Sequence, residues 1–429
     1  MTGKKIFIIL TALSLTACTM TPEYRRPMAP VPQNWPAGAA YQEIKTDESA
    51  PSLAGLSWRV VFTDEGLQKV IELALENNRD LRLAALNVER ARAIYGIQRA
   101  EQLPSVYAVG IGSHQHVPSD LSLSGKEITS EQYSVSLGLS SWEIDFFGRI
   151  RSLKDRALEE YLATDQARRS SQTVLVSAVA IAYLTLAADR ENLKLAASTL
   201  ATQEAAYRLI LKRHEVGLVS ALDLRRAQSQ VETARRDIAV FTQLAAQDEN
   251  ALTLLVGSLL PQSLLPLELY SVSPPQEVSP GLSSEVLLYR PDVLAAEHRL
   301  KAANANIGAA RAAFFPRISL TTAIGTASAD LSGLFQSGSG TWSFIPQITL
   351  PVFDARTWSA YEVTKLDREI AVGETYRLSE ARYDKGLDSY LGVLDAQRSL
   401  YAAQQGLIFL RLAGLINRVT LYKVLDWGE

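Results

Sequence analysis

Two copies of one pattern, RHEVGLVS at residues 213–220 and RYDKGLDS at residues 382–389, lie 169 positions apart. Each copy has a glycine near its centre, Gly217 or Gly386, with helix-forming residues on both sides. Because glycine readily adopts the left-handed conformation that ends many helices, each copy is typical of a turn between two helices. The sequence therefore predicts two helical hairpins, with Gly217 and Gly386 at their turns.

A second duplicated pattern lies upstream of each hairpin. The stretch from Arg79 to Pro104 matches the stretch from Pro291 to Pro316 at an offset of 212 positions. Repetition over such lengths indicates one structural unit that occurs twice. We place the first repeat at residues 63–257 with its hairpin at 150–257, a linker at 258–282, and the second repeat at 283–429 with its hairpin at 355–425.

Four segments outside the helices alternate apolar residues with small or polar ones, as β-strands do. They lie at about residues 104–114, 132–144, 316–325 and 342–353. The alternation is typical of transmembrane β-strands, although a half-exposed soluble sheet has the same pattern. A membrane barrel has no open edge and needs about eight strands, so four membrane strands would require several copies to share one barrel.

The helical segments carry a second periodicity. After the first turn, small and apolar residues recur at alternating steps of four and three, which defines a heptad seam suited to close packing. The helix before that turn, from Ile150 to about Lys212, would be roughly 95 Å long, as in a hollow stalk. Its apolar stretch from Ser170 to Ala188 is rich in alanine and predicts a buried helix rather than a membrane span. The seam consists of Ala227, Val231, Ala234, Ile238, Phe241, Ala245, Asp248, Leu252 and Leu255.

The N-terminus has the features of a secretory signal. Lys4 and Lys5 precede an apolar stretch at residues 6–15 that is too short to span a bilayer. We predict a signal peptide at residues 1–17 and an extended tail at residues 18–62. The order Leu-Thr-Ala-Cys at residues 15–18 resembles a bacterial lipobox, which implies a covalent lipid that anchors the tail through Cys18. The alternative is a chance cysteine after an ordinary signal peptide.

Composition argues against other classes of function. The formal net charge of −3 provides no basic surface for nucleic acid. Cys18 is the single cysteine, which excludes an internal disulfide and a multi-cysteine metal cluster. Serine-elbow, phosphate-loop and His-Glu-x-x-His patterns are absent from the sequence, so we predict no enzyme and no cofactor apart from the lipid. His114 and His116 share a strand face, but two ligands seldom define a metal site, and we interpret them as polar residues near an extracellular loop.

Several motifs together resemble the TolC-like outer-membrane factor family of tripartite efflux systems, in its lipoprotein branch. They are YRRP at 24–27, WEIDFFGR at 142–149, YRLSEARY at 376–383, LDAQRSL at 394–400 and LYK at 421–423. The resemblance implies a mixed α and β membrane protein that forms a trimer. Each chain would give four strands to a twelve-stranded transmembrane β-barrel, which a long periplasmic α-helical barrel continues.

The resemblance also implies a function, a location and partners. The protein would be a passive export duct for drugs or other small molecules, located in the outer membrane and extending into the periplasm. It would work with a periplasmic adaptor protein and an inner-membrane pump of the RND type. Leu391, Asp395 and Arg398 match the family's periplasmic gate, whereas an ordinary surface pair is the alternative for Asp395 and Arg398. The alternative function is a periplasmic adaptor or structural lipoprotein with helical hairpins.

One departure from the family lies in the second repeat. Tyr207 follows Phe147 by 60 residues, whereas Tyr376 follows Phe353 by 23, so the second repeat is 37 residues shorter. As helix, 37 residues would span about 55 Å. The residues that remain, at about 355–385, would reach from the barrel to the tip of the hairpin only if they were extended rather than helical. We therefore expect the family's architecture with a shortened second hairpin, either still conducting or impaired.

Overall fold

The computed structural model describes residues 19–26, 57–276, 288–380 and 396–425. The α-helices of this part of the chain are α1 (Trp58–Val61), α2 (Glu65–Asn77), α3 (Arg79–Ala100), α4 (Arg149–Glu215), α5 (Ala221–Val256), α6 (Pro291–Ala312), α7 (Ala355–Glu380) and α8 (Ala396–Leu425). The strands are β1 (Val106–Val117), β2 (Ile128–Glu143), β3 (Arg317–Ser328) and β4 (Gly340–Thr349).

The described residues divide into two compact units. The strand unit comprises residues 19–26, 89–163 and 296–376. The helical unit comprises residues 57–88, 164–276, 288–295, 377–380 and 396–425.

The strand unit contains one antiparallel sheet in the order β1–β2–β3–β4. Strand β2 begins at Ile128, about four residues before the expected position, because residues 128–131 pair with residues 114–117 of β1. Strand β4 ends at Thr349, about four residues early, shortly before Pro351.

The internal repeat is visible in the lengths of the elements. Helices α3 and α6 both have 22 residues, and strands β1 and β3 both have 12. Helix α4 has 67 residues and is about 100 Å long, whereas α7 has 26 and is about 39 Å long. Helix α7 is continuous over its described length, so the second repeat does not compensate for its missing residues by extending the chain there.

The core of the helical unit joins distant parts of the chain. Phe62, Val179, Leu184, Leu252 and Tyr422 are all buried in it. The rings of Phe62 and Tyr422 meet edge to face, with their centroids 5.1 Å apart. Such aromatic pairs stabilise a core by about 1 kcal/mol beyond the area they bury. The C-terminal helix α8 is thereby fixed to the segment that precedes α2.

Within the helical unit, the apolar stretch of α4 lies inside the protein. Among the described helices, α4 is long and apolar enough by composition to cross a membrane, but 61% of its most apolar stretch of 18 residues is buried inside the protein. Leu175, Val179 and Leu184 of this stretch belong to the core. The seam of α5 also faces inward, with Val231 and Leu252 buried. The apolar run therefore serves helix packing, as its alanine content predicted.

Two segments expected to be irregular contribute to the helical unit. The end of the predicted tail forms the short helix α1, whose Trp58 and Val61 are buried. Its first turn is capped by the Ser57 side chain, which accepts a hydrogen bond from the Arg59 amide. In the linker, Leu269 is among the buried residues of the core. Burial of these apolar side chains stabilises the described parts of both segments despite their lack of periodicity.

Candidate membrane channel

Two glycines show the direction in which the sheet curves. Gly138 of β2 and Gly325 of β3 lie on the same face. A Cβ atom on Gly138 would lie 2.2 Å from the carbonyl oxygen of Thr322, and one on Gly325 would lie 2.1 Å from that of Val135. The neighbouring backbones thus close in on the face that both glycines share. We call this the concave face and the opposite one the convex face.

The convex face of β2, β3 and β4 carries large apolar side chains that the chain leaves exposed. They are Val135, Leu137, Ile324, Trp342 and Phe344. Trp342 is 77% exposed. At the same level, the concave face of these strands carries small residues, among them Ser136, Ala323 and Ser343. An apolar outer band over a small and polar inner face is the arrangement of a membrane strand.

The two outer strands of the sheet, β1 and β4, each have one partner strand among the described residues. Their other edges carry backbone N–H and C=O groups that would need partners in a bilayer, where no water is present to satisfy them. Four strands are also about half the number in the smallest membrane barrels. The sheet of one chain therefore cannot close in a membrane without strands from other copies.

A cluster of charges links the end of β2 to the start of α4 and of β3. Arg149 donates from Nε and Nη2 to the Glu143 carboxylate, both at 2.9 Å. Arg317 Nε lies 2.7 Å from the same carboxylate. The hydrogen bonds from Arg149 to Glu143 raise the pKa of Arg149, although burial opposes this. Glu143 is 14% exposed, so one largely buried anion holds two cations at this junction.

The motif WEIDFFGR supplies the rest of this junction. The Asp145 carboxylate accepts hydrogen bonds from the Ile150 and Arg151 amides, at 3.2 and 2.8 Å. It therefore caps the first turn of α4, whose amides have no partner within the helix. Gly148, with a φ of 76°, makes the turn between strand and helix. The residues that carry the family resemblance thus form a strand-to-helix connection.

Residues 19–26, which we call the strap, run along α6 in the strand unit. The Asn304 side chain donates to the Pro22 carbonyl at 2.7 Å, and Arg26 Nε donates to Glu297 at 3.0 Å. Burial raises the pKa of Glu297, but hydrogen bonds from Arg26 and Lys301 outweigh it and lower that pKa. Because Glu297 precedes Asn304 on α6, the strap runs antiparallel to the helix.

Two further contacts fix the strap. Lys301 lies 5.3 Å from the centroid of the Tyr24 ring, within the range of a cation–π interaction. Burial, followed by the charge of Glu297, raises the pKa of Tyr24 to about 12. At the other end, Arg311 Nη1 lies 3.5 Å from the Met20 carbonyl oxygen. Met20 therefore lies beside Arg311 of α6, which precedes the start of β3 by six positions.

The helical unit contains a pair of carboxyl groups, Asp189 of α4 and Asp248 of α5. Burial, a hydrogen bond with Asp248 and the charge of Asp248 raise the pKa of Asp189 to about 6. Burial also raises the pKa of Asp248. This pair was not predicted from the sequence. Its signal was the position of Asp248 on the apolar seam, where a carboxyl group needs a partner or a proton.

The structure describes some of the predicted site residues. Gly217 has a φ of 75°, and its amide donates to the His214 carbonyl at 2.9 Å, between α4 and α5. Cys18, Gly386, Leu391 and Asp395 lie outside the described residues, as does the side chain of Arg398, which belongs to α8. The gate residues therefore stay predictions.

The two strand histidines have protein partners. His114 Nδ1 lies 3.2 Å from Glu131, and its Nε2 lies 3.0 Å from the Tyr133 hydroxyl. His116 Nδ1 lies 3.0 Å from the Thr129 hydroxyl. In the described part of the chain, no three His, Cys, Asp or Glu side chains are grouped to hold a metal ion. His114 and His116 thus both make polar contacts with side chains of β2.

Comparison with known proteins places this geometry among efflux channels. The sequence model of the family described as outer membrane efflux protein matches residues 70–258, 282–372 and 363–426. The chain is 44% identical to the toluene efflux pump outer membrane protein TtgC of Pseudomonas putida, over the whole chain and 96% of that protein. It is 39% identical to the outer membrane protein OprJ of Pseudomonas aeruginosa, over 98% of the chain and 95% of that protein.

A solved structure has the same fold as this chain. The structure of this chain is similar to that of the Neisseria gonorrhoeae MtrE outer membrane channel in its open state, with a TM-score of 0.81 and 36% sequence identity. The similarity covers 96% of this chain and 98% of that one. The mixed α and β membrane fold predicted from the sequence is thereby confirmed.

The same comparisons bear on the shortened second repeat. The alignment with TtgC has 468 positions, 39 more than the 429 residues of the chain, all of which it covers. The last two matches to the family overlap at residues 363–372, within α7, as expected where the chain lacks part of the family's sequence. The 39 extra positions are close in number to the predicted shortfall of 37 residues.

Proposed function

The chain belongs to the outer membrane efflux protein family and is an outer-membrane efflux channel, and on that premise we propose that it works as a homotrimer within a tripartite pump. The observation that carries this proposal is the open sheet with an exposed apolar face. Three copies contribute twelve strands, pair each β4 with the β1 of a neighbour and leave no edge unsatisfied in lipid.

The partners are a periplasmic adaptor protein and an inner-membrane pump of the RND type. The channel itself is passive and performs no catalysis, and the pump supplies the energy. In support, the chain matches the family over nearly its whole length, and the length of α4 suits a duct that extends far from the membrane. Relatives are named for the efflux of toluene and of antibiotics, and this chain exports drugs or other small molecules of that range.

The gate of the duct lies near the turn of the second hairpin, at Leu391, Asp395 and Arg398. These residues are three to four positions apart, a spacing that places side chains on one helical face. Three copies of Asp395 form an acidic ring at a narrow point, which favours cations. Gly217 and Gly386 are the turns of the two hairpins.

Cys18 carries a covalent lipid, with palmitate among its acyl chains, that anchors the strap to the outer membrane. The support is the path of the strap: Met20 lies at Arg311, close to β3, and Cys18 precedes Met20 by two residues, which span at most about 7 Å. Replacement by serine (Cys18→Ser) should abolish incorporation of labelled palmitate. Incorporation that persists in this variant would contradict the assignment.

Export is tested in a strain that lacks its own outer-membrane factor. The full chain should restore tolerance of an antibiotic and migrate as a heat-resistant trimer from outer-membrane fractions. The alternative, a periplasmic adaptor, predicts a monomer that high pH extracts from the membrane. Trimers without restored tolerance would support the oligomeric state and contradict export.

A further inference from the structure

In the middle of the sheet, the first strand has its large residues on the opposite face from the other three strands. Level with residues 107–111 of β1, the large apolar side chains of β2, β3 and β4 lie on the convex face, and Ile345 of β4, beyond this level, lies on the concave face. In β1 the large apolar side chains are Tyr107, Val109 and Ile111, whose partners on β2 are Gly138, Ser136 and Ser134. Because paired residues share a face, the three β1 side chains lie on the concave face, together with Gly138.

From this inversion we infer that Tyr107, Val109 and Ile111 form an apolar stripe on the inner wall of the duct, and that the stripe contacts uncharged, apolar or aromatic solutes in transit. The inference rests on the proposed function, because the concave face becomes an inner wall only when copies of the sheet close into a barrel. It deepens that function by naming a class of solute.

The rest of the wall at this level is small or polar. Strands β2 and β3 contribute Ser134, Ser136, Gly138, Ala323, Gly325 and Ala327, and β4 contributes Thr341 and Ser343. The stripe is therefore a local feature of β1. In a trimer it occurs three times, so that nine large apolar side chains lie in a ring of otherwise small or polar residues.

Contact with lipid does not explain these three side chains. Level with the stripe, the convex side of β1 carries Ala108, Gly110 and Gly112, all small, and its next large apolar residue is Val106 at the start of the strand. Gly110 and Gly112 lie beside large residues of β2: a Cβ atom on them would be 4.0 Å from Val135 and 3.4 Å from the Tyr133 ring. At this level β1 therefore presents small residues to the convex side and large apolar residues to the concave side.

Packing within the chain does not explain them either. Tyr107, Val109 and Ile111 are 53%, 44% and 58% exposed. An apolar solute that contacts them removes this surface from water, which is favourable in proportion to the area buried. The stripe has no charged group to hold a polar solute. Because each contact is weak and the stripe is repeated around the wall, a solute can both bind to the stripe and leave it, as conduction requires.

The orientation is tested with single cysteines in outer-membrane vesicles that contain the full chain. The variants are Val109→Cys on the stripe, Ala323→Cys on the concave face of β3, and Leu137→Cys on the convex face. A charged, membrane-impermeant maleimide should label the first two at least tenfold faster than Leu137→Cys, and the unsubstituted chain gives the background of Cys18. Labelling of Val109→Cys that is as slow as that of Leu137→Cys would overturn the inference.

The class of solute is tested in the same vesicles. Toluene should slow the labelling of Val109→Cys severalfold and leave Ala323→Cys unchanged. In cells, the triple variant Tyr107→Ser, Val109→Thr, Ile111→Ser should lower tolerance of toluene severalfold more than tolerance of a cationic antibiotic, while Thr341→Ser with Ser343→Thr changes neither.

The outcomes separate the two proposals. Equal losses for toluene and the antibiotic, or no protection of Val109→Cys by toluene, overturn the stripe and leave the channel intact. A wild-type chain that restores tolerance of neither compound contradicts the proposed function, whatever the labelling shows.

Discussion

Gly308 of α6 lies directly against Thr21 of the strap. A Cβ atom at Gly308 would lie 2.3 Å from the Thr21 Oγ1 and 2.8 Å from the Ser152 Oγ. Its counterpart in the first repeat is Gly96 of α3, which has no neighbouring atom within 4 Å among those compared in the described chain. The two repeats thus have the same glycine in different surroundings, and only the second one provides a seat for the strap.

This difference gives a matched pair of substitutions. Gly308→Ala should displace the strap, because overpacking of this kind typically costs about 1–3 kcal/mol and exceeds the gain in helix propensity of about 1 kcal/mol. Gly96→Ala gains the same propensity and meets no clash. Amide hydrogen exchange of residues 19–26 should accelerate in Gly308→Ala and stay at the wild-type rate in Gly96→Ala. Equal exchange in both variants would show that Gly308 does not determine the seating of the strap.

A second prediction concerns Glu143, which holds Arg149 and Arg317 at the base of the sheet. Glu143→Ala leaves the partly buried Arg149 and the more exposed Arg317 without their anion, and we expect a loss of about 2 kcal/mol in the free energy of unfolding. Glu143→Gln keeps the shape and should lose less. The measurement is the denaturant midpoint of the purified protein. As a control, Glu362→Ala removes the exposed partner of Lys365 and should leave the midpoint unchanged.

How much of this structure the sequence predicts depends on the range of the interactions. The four strands follow from local alternation, and the inward face of α5 follows from its heptad seam. The strap does not follow, because Arg26 and Glu297 are 271 positions apart and neither stands out locally. The irregularity in β2 near Ser141 does not follow from the sequence either. Ser141 has a φ of 51°, which is unusual for serine, and the register between β2 and β3 shifts at this point. These features depend on tertiary contacts that periodicity does not encode.

A third prediction follows from Asp189. Its pKa is raised from 3.8 to about 6 by burial and by Asp248, so the folded state binds this proton more tightly than the unfolded state. The resulting stability is present below pH 3.8 and is lost as the pH rises to about 6. Asp189→Asn should therefore raise the free energy of unfolding at pH 7 by only on the order of 1 kcal/mol, because solvent screens the partly exposed carboxylate. The variant should also lose this dependence of stability on pH.

The control for Asp189→Asn is Glu76→Gln, which neutralises an exposed carboxylate of α2. Thermal unfolding of both variants between pH 4 and pH 7.5 provides the comparison. A wild-type midpoint that rises steadily from pH 4 to pH 6, with Asp189→Asn following the same curve, would mean that Asp189 titrates as an ordinary carboxyl group.

The last prediction concerns the 37 residues missing from the second repeat. They correspond to about ten turns of helix, so that their loss keeps the apolar face of α7 nearly in phase while shortening it by about 55 Å. Insertion of the corresponding residues of TtgC within residues 363–372 should lengthen the helix in register. We expect the restored chain to give higher antibiotic tolerance than the natural one in a strain without its own outer-membrane factor. An insertion of equal length made of glycine and serine should give no improvement, because a flexible linker transmits no helical geometry. Equal tolerance with the natural and restored chains, at equal amounts of trimer, would show that the short hairpin suffices for export.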